Sequence, residues 1–102
     1  MVKSYVVVRV KLFIGARDHG VGSGYRPSAF FGERKDGYPV HHDFELELVD
    51  RDRLEPGETA QAHVVPFSPE VWPARAVGDR IRIYEGANHV GDAYVESMHL
   101  DS

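Results

Sequence analysis

The residues in this chain best equipped for chemistry are its arginines and the aromatic side chains between them. Arg17, Arg26, Arg34, Lys35, Arg80 and Arg82 fall in or beside expected loops, and Tyr25, Phe30, Phe31, Tyr38 and Tyr84 are interleaved with them. Guanidinium groups grip phosphate oxygens and flat rings stack on bases or sugars, so the mixture suits RNA or another phosphate-bearing ligand. Net charge argues the other way. Twelve Lys and Arg against 16 Asp and Glu leave −4, whereas a dedicated nucleic-acid binder carries a positive excess. The same residues also read as the ordinary rim of a small barrel.

Other constellations are weaker. Gly15 and Gly20 have the spacing of the first two glycines of a P-loop. Val21-Gly22 stands where the motif needs Lys and then Ser or Thr, and a strand rather than a helix is expected to follow, so a hairpin loop is the better reading. His41-His42-Asp43 offers good ligand types for zinc, nickel or copper. Neighbouring residues of a strand point to opposite faces, however, so the two histidines do not readily chelate one ion. Asp43, Glu45 and Glu47 share one strand face, which reads as a solvated acidic surface before it reads as a carboxylate pair for hydrolysis. There is no Gly-x-Ser-x-Gly elbow. With no cysteine, disulfides, thiolate zinc sites and cysteine nucleophiles are excluded. The expectation is a protein without catalytic residues, cofactor or metal. A metal-dependent enzyme using His41 and His42 is the alternative from another class, and self-association through an incompletely paired strand is a third.

The elements that must position these residues are strands. At 102 residues, 42% hydrophobic and 27% charged, the sequence fits one soluble globular domain spanning residues 1–102. Alternation from Val2 to Ile14 predicts a long strand with one buried face. Residues 15–24 hold four glycines and predict the main loop, and Tyr25 to Phe31 is extended around Pro27. A turn is expected near Asp36-Gly37, then a strand with Phe44, Leu46 and Leu48 inward. Glu55-Pro56-Gly57-Glu58 is a turn, and Thr59 to Phe67 is a strand burying Ala60, Ala62 and Val64. Ser68-Pro69-Glu70 can start one helical turn within a proline-rich irregular stretch. Ile81 and Ile83 mark the next strand, Gly86 and Asn88 a turn at positive φ, and His89 to Met98 the last. About six strands without a helical period predict an antiparallel sandwich or barrel. The first residues, with Arg9 and Lys11 interrupting their apolar run, read as the start of a cytoplasmic protein; neither a membrane nor DNA is expected as a partner.

Four segments carry a resemblance. Gly24-Tyr25-Arg26-Pro27 with Phe30-Phe31 resembles the Gly-Tyr-Arg-Pro-x-Phe-x-Phe segment in the C-terminal barrel of elongation factor Tu. Gly15-Ala16-Arg17-Asp18-His19 resembles the Gly-Gly-Arg-His loop before it, and Glu55-Pro56-Gly57-Glu58 the Met-Pro-Gly-Asp turn. The run from Gly78 to Gly91 resembles Gly-x-Arg-Phe-x-Ile-Arg-Glu-Gly-Gly-x-x-Val-Gly, which closes that barrel. In order, the four span nearly the whole chain. The resemblance implies a closed six-stranded antiparallel Greek-key barrel without activity of its own, which in translation GTPases contacts the T-stem side of aminoacyl-tRNA and packs on the GTPase domain. It implies that Arg17, Glu85 and Gly86 lie on a rim that approaches tRNA. Arg26 and Arg82 fall nearer the domain-packing side, and Arg34 and Tyr84 join them as candidate contacts for a protein partner or RNA. Tyr84 stands where the family has arginine, Ala87 where it has a second glycine, and Gly32 where it has a polar or charged residue. No counterpart of the GTPase domain is present in the sequence, so a composite tRNA site is not inherited.

Overall fold

The computed structural model describes residues 4–99. Eight strands follow one another: β1 (Tyr5–Leu12), β2 (Val21–Gly22), β3 (Ser28–Glu33), β4 (Pro39–Leu48), β5 (Arg53–Leu54), β6 (Thr59–Pro66), β7 (Arg80–Glu85) and β8 (Asn88–His99). Six of them close into an antiparallel barrel in the order β1-β6-β4-β3-β7-β8, with β8 returning to β1. Strands β3, β4 and β6 form a meander. A long connection from β1 leads into it, and a second long connection brings β7 back beside β3, so each flank completes a Greek key. Closure pairs every wall strand on both sides, which leaves no free edge of the barrel among the described residues.

Period-2 alternation places the core. In β1, Val8, Val10 and Leu12 are fully buried while Arg9 and Lys11 face out. Phe44 and Leu46, Ala60, Ala62 and Val64, and Ile81 and Ile83 fill the interior from the other walls. Each large aliphatic or aromatic side chain so removed from water contributes about 1.5–3 kcal/mol. Alanines at 29, 60, 62 and 93 leave room for Phe44 and the leucines, so small and large residues interdigitate. Gly91 is needed for a different reason: it faces Leu12 across the β1–β8 pair, and a Cβ there would run into the Lys11 carbonyl.

The ends of the barrel are dressed differently. At the Leu12 end, β2 and β5 pair into a two-stranded flap, with Gly57 N–H bonded to the Leu12 carbonyl. Residues 15–24 therefore carry a short strand within the loop that the sequence predicts, and β5 is equally new. At the Tyr5 end, the connection over residues 67–79 holds a single 3-10 turn, Pro69–Val71, and brings Trp72 edge-on to Phe31 and Phe44. Boundaries also shift: β1 is shorter at its C-terminal end than expected, β3 starts at Ser28 and runs on to Glu33 past a bulge, β4 begins at Pro39, β6 stops at Pro66, and β8 extends one residue at each end, from Asn88 to His99. The expected start of β1 at Val2 lies outside the described residues. Gly86 has the positive φ expected of it (60°), but Asn88 does not; it is the first residue of β8, and the tight connection needs only one left-handed position. No α-helix occurs among the described residues, and none is long and apolar enough to cross a membrane.

Candidate functional site

The sequence-derived candidates separate into four places. On the Leu12 end, the 15–24 loop brings Arg17 against the last residue of β7. Arg17 donates from Nε to Glu85 (2.8 Å) and from Nη1 to the carbonyls of His19 (2.5 Å) and Gly20 (3.0 Å). The Tyr25 hydroxyl donates to the same Glu85 oxygen, and the Arg17 guanidinium lies 5.3 Å from the centre of the Tyr25 ring. Burial pushes the Tyr25 phenol well above the ordinary tyrosine range. Its hydrogen bond to Glu85 and the Glu85 charge push it the same way, and Arg17 opposes them. Tyr25 is thus a neutral donor at any ordinary pH. Arg17 and Glu85 are brought together, with Gly86 next in the turn, and the arginine's charge is matched by Glu85. This trio clasps the loop to the barrel.

Arg26 and Arg34 stand apart. Arg26 Nε lies 3.6 Å from Glu45 on the outer face of β4 and 5.5 Å from the centre of the Phe67 ring. Arg34 pairs with Asp36 at 2.7 Å inside the turn from β3 to β4 and leans on Tyr38. Both arginines are more exposed than Arg17, and each has a carboxylate neighbour.

The fourth place is the outer wall made by β8, β7, β3 and β4, and it holds Arg82 and Tyr84. Pairing of Phe30 with His41, Phe30 with Arg82 and Tyr84 with His89 places four rings in one row across four strands. His89 and Tyr84 are stacked at 5.0 Å with 5° between their planes. Tyr84 then meets Phe30 at 5.1 Å and His41 at 5.4 Å, and Phe30 meets His41 at 5.2 Å. Phe13 extends the row by an edge contact to His89. Arg82 lies over Phe30 at 5.9 Å. Behind the row, His89 Nε2 is 2.8 Å from Asp92, a mostly buried carboxylate that Arg80 also approaches at 3.8 Å. These rings are only partly buried, so a continuous aromatic strip with a cation beside it faces outward.

His41 and His42 do point apart. His41 joins the strip and His42 packs on Phe31 on the neighbouring line of side chains. Among the described residues, no three of His, Asp and Glu come together as a metal-binding group. Sequence reasoning missed His41 and His89 as members of an aromatic surface, and it passed over Arg75. The row depends on pairing register across four strands, with bulges before Glu33 and before Tyr84, and no local pattern encodes that. A comparison of the chain with protein-family models and with curated proteins found no match.

Proposed function

We propose that this chain is a non-catalytic binding module that docks a partner protein through the wall formed by β8, β7, β3 and β4. The observation that carries the reading is the row His89, Tyr84, Phe30 and His41 with Arg82 at its side. Aromatic residues and arginine are the types that dominate the energetics of protein interfaces, because they bring large contact area with a polar tip. Net charge supports a protein over a polyanion. At −4, and with Arg17, Arg26 and Arg34 each beside a carboxylate, the surface offers little long-range attraction to RNA. The resemblance to the elongation factor Tu barrel, which docks against a neighbouring domain, agrees with this use and suggests a cytoplasmic, translation-related setting.

A second reading, RNA binding, draws on the same strip, since stacked rings beside an arginine also suit unpaired bases. The experiment that separates the two is purification of tagged protein from its native cell extract with and without ribonuclease. Docking to protein predicts a retained polypeptide that survives ribonuclease, is lost with Tyr84→Ser or Phe30→Ser, and is kept with Arg34→Ala. Retention that depends on RNA, or that Tyr84→Ser leaves intact, contradicts the proposal.

A further inference from the structure

Most arginines of the described chain are neutralised locally: Arg9 by Glu96, Arg17 by Glu85, Arg26 by Glu45, Arg34 by Asp36, Arg51 by Asp50 and Glu58, and Arg53 by Glu55. Two are not. Among the described residues, neither Arg75 nor Arg82 lies within ion-pair distance of a carboxylate, and the two share one hollow. Arg75, Arg80 and Arg82 line a depression of about 270 Å³ floored by Phe30, Phe31 and Gly32. It opens on the Tyr5 half of the barrel, at the edge of the aromatic row.

The arginines are held in place by the rings. Arg75 lies 4.9 Å from the centre of Phe31 with its Nε buried and without a hydrogen-bond partner, and Arg82 lies 5.9 Å from the centre of Phe30. A guanidinium laid on a ring keeps its outer N–H donors free while its position is fixed, which lowers the entropy lost on meeting an anion. Arg80 is shared with Asp92 at a loose 3.8 Å and is close enough to the hollow to contribute a third cation. Phe31 is itself packed edge-on by Trp72, with ring centres 4.9 Å apart.

We infer that this hollow is a binding site for a phosphate monoester carried on a side chain of the partner protein. The inference rests on the docking reading for its source of phosphate and deepens it. Three guanidinium groups around one depression match a compact dianion better than a single carboxylate, because each phosphate oxygen can accept from a different arginine. The phenyl floor suits an apolar or aromatic group attached to that phosphate. An extended polyanion fits less well: β4 turns Asp43, Glu45 and Glu47 outward on the same wall, so a chain of phosphates running along that strand would meet like charge. A single dianion meets the positive cluster, in which Asp92 offsets part of the charge of Arg80.

The test is calorimetric or NMR titration of the intact protein with phenyl phosphate, with benzoate and inorganic phosphate as companions and a short unpaired RNA as a competitor. The site predicts saturable phenyl phosphate binding, weaker inorganic phosphate, and benzoate weaker still. It predicts a loss of about tenfold or more in Arg75→Gln and in Arg82→Gln, with Arg34→Gln unchanged. Arg34 and Arg82 are exposed and Arg75 is half-buried, and amide spectra confirm that each variant is folded. No saturation up to about 10 mM phenyl phosphate, or equal binding by the Arg75 and Arg82 variants, overturns the site. Tighter binding of the RNA than of phenyl phosphate at the same arginines overturns the protein source. The docking reading is judged separately: a partner retained by wild-type protein and unaffected by phosphatase leaves docking standing and removes this inference. Phenyl phosphate binding without any retained partner leaves the anion site and removes docking.

Discussion

Glu85 is the residue on which the loop end of the barrel depends. It accepts from both Arg17 and Tyr25, across 68 and 60 residues of sequence, and so fastens the 15–24 loop to β7. Replacing Arg17 with Ala removes a charge-assisted hydrogen bond and leaves a half-buried carboxylate, so chemical denaturation should show a loss of about 1–2 kcal/mol. That result would mark Arg17 as a clasp; unchanged stability would free it for a ligand. Tyr25 gives a pH signature. Its phenol binds its proton more tightly folded than unfolded, so this contribution to stability is intact below the unfolded value of about 10 and is lost as pH rises above it. The stability of wild-type protein should therefore fall above about pH 10 more steeply than that of Tyr25→Phe, which is less stable at neutral pH but lacks this titration. Parallel curves would show that the phenol is not held as described.

At the scale of elements, period-2 alternation marks β1, β4, β6 and β7, which each bury one face and expose the other, whereas β3 is legible from Pro27 and β8 from the turn before it, since β8 buries Val90, Gly91, Asp92 and Ala93 in succession. Val8, Val10 and Leu12, then Ala60, Ala62 and Val64, fall inside as their spacing requires. The two-residue strands β2 and β5 escape such reasoning, since a pair of residues has no period and their pairing joins segments some thirty positions apart. Pro39 looks like a turn residue and instead opens β4, at a strand end where its missing N–H costs nothing. Gly91 has no turn to make; its role appears only when β8 is laid against β1. Gly91→Ala should cost about 1–3 kcal/mol by forcing the Lys11 carbonyl aside, read as a lower denaturation midpoint. Gly22→Ala, whose added carbon would meet only the Asp52 carbonyl at 3.4 Å and whose φ is not in the left-handed region, should cost less. Equal losses would mean that strand proximity at Gly91 is not the constraint.

The candidate site belongs to the whole molecule. Arg82 and Tyr84 could be singled out in the sequence because they stand beside aromatic residues in a barrel-closing segment, but their neighbours could not. The row exists because β7 lies between β3 and β8, an order set by the second Greek key, and because two bulges reset the register so that Phe30, Tyr84, His89 and His41 meet. Arg75 arrives from a proline-rich connection with no regular pattern, so its place beside Arg80 and Arg82 follows only from how that connection packs under Trp72. Even the arginines were informative only once folded: their types suggested anion binding at several loops, and the distribution of carboxylates leaves two of them unneutralised.

The proposed contact surface is the wall of β8, β7, β3 and β4, and whether a partner covers it can be read residue by residue. Mapping amide chemical-shift changes on labelled protein as the retained partner is added tests it most directly. Docking through this wall predicts that the largest changes cluster at Phe30, His41, Arg82, Tyr84 and His89, with the loop around Arg17 and the turn at Gly57 little affected. Changes concentrated at that loop and turn, with the aromatic row silent, would contradict it and return the binding surface to the rim.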